Sequence, residues 1–233
     1  MKTWGYILLL TSFVLILING CENVDDDNGK TVTDIDGNVY TTITIGTQVW
    51  MKENLKTTRY NDNTIIPYVT NGLEWSNLTS PGYCWYDNNS AAHKEADGAL
   101  YNWYAVNTGK LCPVGWHIPT LNDLNILAIT LGGENVAGGK MKESGFAHWD
   151  SPNTGADNSS GFTALPSGYR YHYAYQMGYG FYGGIGSLGI WWSAQESSTS
   201  DAFEYSLSYP NSRLNTGGDY YKGDGLSVRC IKD

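Results

Sequence analysis

The chain has 233 residues, of which 41% are hydrophobic and 14% aromatic, and its formal net charge is −9 at pH 7. Its 14 Lys and Arg residues form no basic patch, and phosphate binding depends on clustered Lys and Arg, so the composition excludes nucleic acid and anionic lipid as partners. About 200 residues follow the N-terminal leader, enough for one sizeable core, and no second linker or internal repeat divides them.

The first 20 residues predict a lipoprotein signal peptide. Lys2 precedes an apolar run from Ile7 to Ile18, which is shorter than the roughly 20 apolar residues that span a bilayer. The small residue Gly20 before Cys21 resembles the cleavage site of bacterial lipoproteins, so Cys21 is predicted to be the lipidated first residue of the mature chain. The alternative is an uncleaved membrane anchor. This alternative is disfavoured because no basic cluster follows the apolar run.

Residues 21–30 predict an acidic tether with almost nothing to bury. An acidic run after a lipidated cysteine resembles the export signal that sends lipoproteins of Bacteroidetes-type bacteria to the outer face of the outer membrane. We therefore expect an outer-membrane lipoprotein that is exposed on the cell surface and meets the membrane through its lipid alone. Residues 31–233 are predicted to form one domain.

Strands and one helix are predicted in the first half of this domain. Apolar residues alternate with polar ones over residues 31–50, and the turn signals at 36–38 and 45–47 indicate hairpins. The sequence Tyr-Cys-Trp-Tyr at 83–86 predicts a buried strand. The apolar residues over 91–106 approximate one helical face and predict a helix.

The clearest helix is predicted after Thr120. The Thr120 hydroxyl can cap the free amides of the first turn, and the Asp123 carboxylate can return a hydrogen bond. Apolar residues recur at helical spacing over 121–131, and Gly132-Gly133 supplies a helix end. Beyond Gly133 the sequence has no further long helical period.

Later segments predict irregular loops with short strands. Residues 189–194 and 225–231 carry bulky residues almost without polar interruption, which is typical of central strands. Trp50 and Trp75 are predicted to be core aromatics.

The cysteine count indicates an oxidising compartment. With Cys21 used for lipid, three cysteines remain. The favoured disulfide joins Cys112 to Cys230, and Cys84 is then a free buried thiol or replaces one of the two. No closely spaced Cys or His pair is present, so no metal ligand is expected.

Several phrases carry a family resemblance, and they occur in this order: Asp34–Tyr40, Gln48–Leu55, Cys112–Thr120, Gly161–Arg170, Trp191–Ser193 and Ser227–Cys230. They resemble the Fibrobacter succinogenes major paralogous domain family of secreted and lipidated bacterial proteins. That family is similar to the C-type-lectin-like fold, close to the formylglycine-generating-enzyme type. The resemblance implies an α+β domain with two helices packed on twisted antiparallel strands under long irregular loops, and it implies no known reaction.

No catalytic residue and no cofactor is predicted. Formylglycine-generating enzymes use a redox-active cysteine pair and copper, whereas a structural disulfide accounts better for Cys112 and Cys230. His117 lacks an orienting third group and is interpreted as a buried imidazole. Calcium needs several oxygens that converge on one cation. The loop oxygens of residues such as Glu134, Asp150 and Asp157 form no spaced calcium loop, and we interpret them as turn residues.

A run of tyrosines forms the candidate ligand-binding site, which consists of Tyr169, Tyr171, Tyr173, Tyr175, Tyr179 and Tyr182. On one strand, the first four would share a face. Their rings could stack on sugars or anchor a protein, as in binding surfaces rich in Tyr, Ser, Gly and Asn. The alternative is that they pack against the helices. Arg170 and Arg213 are interpreted as salt-bridge partners.

The leading hypothesis is a non-enzymatic binding or adhesion module for a glycan or a surface protein. The alternatives are an oxidase of the formylglycine-generating type and a structural component of surface assemblies.

Overall fold

The computed structural model describes Met1 and residues 29–174 and 178–233. Cys21, Tyr175, the rest of the predicted signal peptide and most of the predicted tether lie outside the described residues. Within the described part of the chain, no helix has the length and apolar character needed to cross a membrane.

The described strands are β1 (Thr31–Thr33), β2 (Val39–Ile45), β3 (Gln48–Met51), β4 (Tyr83–Cys84), β5 (Leu100–Tyr101), β6 (Trp116–His117), β7 (Ser167–Arg170), β8 (Tyr173–Ala174), β9 (Gly178–Tyr179), β10 (Tyr182–Ile185), β11 (Leu188–Glu196), β12 (Asp201–Ser208), β13 (Leu214–Tyr221) and β14 (Ile231–Lys232). The described helices are α1 (Gly72–Ser76), α2 (Ser90–His93), α3 (Trp103–Val106), α4 (Leu121–Thr130) and α5 (Glu134–Met141). The chain is thus a mixed fold with many strands and few helices.

Two larger antiparallel sheets organise the fold. The first has the strand order β1-β2-β3-β14-β6, and the second is the meander β11-β12-β13. The pairs β4–β5, β7–β10 and β8–β9 form small separate sheets. The β2–β3 hairpin turns at Gly46, whose φ of 62° suits glycine, with Ile45 opposite Gln48. This turn confirms the hairpin that the sequence predicts.

Helix α4 begins as the sequence predicts. The Asp123 amide donates to the Thr120 hydroxyl, and the Thr120 amide donates to the Asp123 carboxylate, which completes a capping box. Leu124 and Leu127 are fully buried. The helix ends before Gly132 and Gly133, which have φ values of 98° and 99°.

The predicted helix over 91–106 is wrong. The segment forms two single-turn helices, α2 and α3, separated by strand β5. Gly98 has a φ of 75°, and a Cβ there would lie 2.8 Å from the Leu55 carbonyl oxygen. The Ala99 amide donates to that same carbonyl, and the Tyr101 amide donates to Leu226 O. Tertiary hydrogen bonds therefore replace the helical ones.

The second of the longer helices is α5, which the sequence analysis missed. Two glycines in α5 approach other backbone segments: a Cβ on Gly138 would lie 2.4 Å from Arg213 O, and one on Gly139 would lie 2.4 Å from Gly155 O. These glycines weaken helical propensity but permit close packing. The two longest described helices are therefore α4 and α5, whereas the sequence predicts one of its two helices over 91–106.

Strand β11 divides the core. Trp191 and Trp192 point to opposite faces and are each fully buried, one in a cluster with α4 and α5 and the other in a cluster with Tyr101 and Cys230. Trp50 is fully buried as predicted, as is Trp75. The predicted disulfide is present: Cys112 and Cys230 are bonded, with Cα atoms 6.0 Å apart.

The segment 225–231 is buried as predicted, but most of it is not a regular strand. Leu226 pairs with Tyr101, and Ser227 bridges to Trp191. Ile231 is the one residue of this segment that lies in β14. The chain changes partners every few residues, so one continuous ladder cannot form.

A buried polar network crosses the centre of the fold. The Nε and Nη2 atoms of Arg229 donate to Asn54 Oδ1 at 3.2 and 2.8 Å, and Nη1 donates to Phe162 O. The Trp191 indole also donates to Asn54 Oδ1, at 2.8 Å. Burial lowers the pKa of Arg229 to about 10. The network links segments that are far apart in sequence.

Candidate functional site

The predicted tyrosines do not share one face. Strand β7 ends at Arg170, the chain turns at Tyr171 and His172, and β8 begins at Tyr173. The prediction of one continuous strand is therefore wrong for the described residues, and Tyr175 lies outside them. The described tyrosines fall into three groups. Tyr169 and Tyr171 are packed, Tyr182 lies against Arg170, and Tyr173 and Tyr179 form an exposed pair.

The packed group consists of Tyr169, Tyr171 and Tyr220. The rings of Tyr169 and Tyr171 meet edge to face at 4.6 Å, and Tyr171 stacks on Tyr220 at 6.1 Å with an interplanar angle of 10°. All three are half-buried. Burial, with the neighbouring Tyr171 hydroxyl, raises the pKa of Tyr169 to about 12 and also raises the pKa of Tyr220. Tyr169 and Tyr171 therefore pack on each other and on Tyr220 of β13, whereas the alternative placed the tyrosines against the helices.

A polar edge adjoins this group. His172 donates its backbone amide to Asp224 Oδ1 at 2.8 Å, and its Nδ1 lies 2.7 Å from the same oxygen. Its ring lies 4.0 Å from the ring of Tyr221. Tyr220 and Tyr221 are not among the residues predicted from the sequence. The sequence feature that could have identified them is the pair of adjacent tyrosines near the end of β13, where neighbouring side chains point to opposite faces.

Arg170 and Tyr182 support the backbone beside the turn at Tyr171 and His172. Arg170 donates to Val69 O at 2.7 Å, Thr70 O at 2.9 Å and Gly180 O at 3.3 Å. Its guanidinium lies 4.5 Å from the Trp75 ring and 5.0 Å from the Tyr182 ring. The sequence predicts a salt bridge for Arg170, but it forms none with the described residues, because backbone carbonyls and aromatic rings surround it.

The exposed pair consists of Tyr173 and Tyr179. These residues lie directly opposite each other on β8 and β9, with ring centroids 5.4 Å apart. Their exposed fractions are 43% and 55%. The hairpin rests against α1, where a Cβ on Gly72 would lie 2.3 Å from Tyr179 O. The absent side chain at Gly72 therefore lets the hairpin sit close to the helix.

Most other candidate residues have structural partners. Arg213 contacts Glu134 in an exposed ion pair of 3.1 Å, as the sequence predicts. His117 is half-exposed, not buried as interpreted, and its ring lies between Asp233 at 2.7 Å and Asp123 at 3.4 Å.

Cys84 is a free buried thiol, and burial raises its pKa. This is one of the two alternatives that the cysteine count left open.

The acidic loop residues do not converge. In the described part of the chain, no group of three or more His, Cys, Asp or Glu residues could hold a metal ion. Asp157 instead accepts from the Ser159 amide in a local turn.

The protein is thus a disulfide-linked domain, rich in antiparallel strands, that presents an exposed tyrosine pair on a short hairpin. Residues 43–232 match the Fibrobacter succinogenes major domain, and the chain belongs to that family. Comparisons with curated proteins and with solved structures give no match.

Proposed function

We propose that the protein is a non-enzymatic binding module that holds a glycan or a protein partner through Tyr173 and Tyr179. We propose further that Cys21 carries a lipid, that the domain stands on the outer face of the outer membrane, and that its fold is C-type-lectin-like. The lipid anchor and its location rest on the signal-like residues 1–20 and the acidic run after Cys21.

The exposed pair is the observation that carries the proposal. Two neighbouring aromatic rings with about half of their surface in water bury little on folding but can bury much against a partner. Tyrosine loses only two side-chain torsions when it is fixed, so such rings bind at a low entropic cost. Arg170 supports this pair by donating to the carbonyl of Gly180, the residue after Tyr179.

The cysteines favour binding over oxidase chemistry. Cys112 and Cys230 are bonded to each other and buried in the core, which supports a framework role for them over a copper-binding redox pair. Copper retention by the purified protein and turnover of a cysteine-containing peptide would contradict this part of the proposal.

The test compares a double variant, Tyr173→Ala with Tyr179→Ala, with the unchanged chain on a glycan array and in cell-surface pulldowns. We expect at least a tenfold loss of binding with no change in melting temperature. The array and the pulldown separate glycan from protein partners.

Phe146→Ala is the matched control, because Phe146 is an exposed aromatic residue outside the tyrosine hairpin. Tyr173→Phe with Tyr179→Phe keeps both rings and should retain most of the binding. Full binding by the double alanine variant would refute the assignment of the site.

A further inference from the structure

A cavity outside the tyrosine hairpin is lined by a cluster of titratable side chains. It has a volume of about 470 Å³ and is lined by His93, Asp97, His148 and Asp150 beside alanine, proline and isoleucine side chains. Its size and its mixture of apolar wall and few polar groups fit a small-molecule site. The proposed function does not involve any of these residues.

His93 is oriented by a carboxylate one helical turn away. Its Nδ1 lies 2.7 Å from Asp97 Oδ2. The Asp97 carbonyl accepts from Asn54 Nδ2 at 2.9 Å, so the turn is attached to the central polar network. The ring of His93 also packs on Tyr86 at 5.2 Å. The imidazole is therefore held in one orientation.

His148 is oriented in the same way from a different loop. Its Nδ1 lies 2.9 Å from Glu143 Oε2. The neighbouring Trp149 is buried and donates its indole N–H to Ala164 O at 2.9 Å. Asn153 donates to the Glu143 carbonyl at 2.9 Å. The loop is thus fixed on both sides of the histidine before any ligand arrives.

Both dyads leave the same atom for a ligand. A carboxylate only accepts hydrogen bonds, so each Nδ1 is the donor, and Nε2 of a neutral imidazole is then an acceptor. The backbone amide of Asp150 donates to Gly186 O at 2.8 Å, which fixes the residue, while its carboxylate forms no hydrogen bond or ion pair with the described residues. With both imidazoles in this neutral tautomer, the polar part of the cavity is a set of acceptors.

The charges decide what these acceptors prefer. No Lys or Arg lines this cavity. A neighbouring recess shares His148 and Ala96 with it and adds two cations, Lys52 and Arg229, together with two carboxylates, Glu53 and Glu95. Glu95 is also paired with Lys56, and Glu143 contacts His148. Three cations are therefore matched by three carboxylates, and Asp97 and Asp150 leave the field negative. A positively charged donor is favoured over a neutral or anionic ligand.

We propose that this cavity binds a small organic amine, with the N–H donors of its ammonium groups bound by Nε2 of His93, Nε2 of His148 and the Asp150 carboxylate. The apolar wall contacts the carbon chain of the ligand. This site is independent of the exposed tyrosine pair.

Three probes of equal length and different charge test the proposal on the full-length protein: cadaverine, 1,5-pentanediol and glutarate. Histidine side-chain NMR resonances, assigned with His→Gln variants, report the site. We expect cadaverine to shift the signals of His93 and His148 with little effect on His117 and His172. The diol should bind at least tenfold more weakly, and glutarate should not bind.

Asp150→Asn removes the charge without changing the shape of the side chain and should weaken cadaverine at least tenfold by calorimetry. Asp157→Asn is the matched control, since Asp157 is an exposed carboxylate outside the cavity. An equal loss of cadaverine affinity in both variants would mean that the acidic protein attracts the diamine nonspecifically, and it would refute the proposed site. Equal affinity for the diol, binding of glutarate or no shift with cadaverine would overturn it as well.

Discussion

Arg229 and Arg170 allow two regions of the molecule to be compared directly. Both arginines are 1% exposed, lie against aromatic rings and form no ion pair within the described part of the chain. Arg229 donates to Asn54 and Phe162 in the centre of the fold. Arg170 donates to carbonyls of loops beneath the exposed tyrosines. The same side-chain chemistry thus holds the framework together in one region and supports a surface hairpin in the other.

The difference lies in what surrounds each arginine. Arg229 contacts the buried Asn54, Phe162 and Trp191 in the core of the fold. Around Arg170, the support ends in a short hairpin whose rings remain in water. We therefore expect changes near Arg229 to reduce stability and changes near Arg170 to reduce binding.

The largest effect is expected from the disulfide. Cys112→Ala with Cys230→Ala removes a link across 118 positions, and the chain-entropy model assigns about 5 kcal/mol to a loop of that length. Denaturant unfolding measures the loss. Cys84→Ala removes a buried thiol that forms no covalent link and should cost much less. A similar midpoint for both variants would contradict the framework role.

The next effect separates the two arginines. Arg229→Met leaves the buried Phe162 carbonyl without its donor, and we expect a loss of about 3 kcal/mol in unfolding free energy. Arg170→Met leaves the buried Val69 carbonyl without its donor and should also reduce stability. Unlike Arg229→Met, it should weaken partner binding as well, because Arg170 donates to the Gly180 carbonyl beside Tyr179. The comparison fails if Arg170→Met leaves binding unchanged or if Arg229→Met weakens it as much.

Glu204 in β12 gives an intermediate and pH-dependent effect. Its side chain is 5% exposed, its Oε2 has no hydrogen-bond partner, and burial raises its pKa to about 7. The folded state therefore holds a proton that the unfolded state releases near pH 4.5. The stability that this proton contributes is fully present below that pH and falls as the pH rises through about 7, by about 3 kcal/mol in total.

Glu204→Gln carries no titrating group and should flatten this part of the profile. Thermal melts between pH 4 and pH 8 measure both chains. A profile that is equally steep in the variant would assign the effect to another group.

The smallest effect on stability is expected at the exposed pair. Tyr173→Ala with Tyr179→Ala should change the unfolding free energy by less than about 0.5 kcal/mol, because substitutions at exposed positions rarely matter more. Tyr171→Ala breaks the stack with Tyr220 and should cost about 2 kcal/mol. A reversed order of these two losses would mean that the packed and exposed groups are wrongly assigned.

Prediction from sequence succeeded where a few neighbouring residues decide the structure. The Thr120–Asp123 capping box and the Gly46 turn each depend on residues within four positions of each other. It failed over 91–106, where the apolar spacing suited a helix but the backbone of residues 99–102 bonds to distant segments. The tyrosine run failed for a similar reason, because His172 bonds to Asp224 and the chain turns there.

By itself, the sequence determined the local caps and turns, the composition of the core and the family resemblance, and it favoured the disulfide that the structure contains. Only the tertiary structure decided which tyrosines pack and which face water, and which histidines share a cavity. Side-chain spacing specifies faces of a strand or helix only while the backbone stays regular. At Tyr171 and at Gly98 the regular structure ends, because long-range hydrogen bonds and close backbone contacts determine the path there.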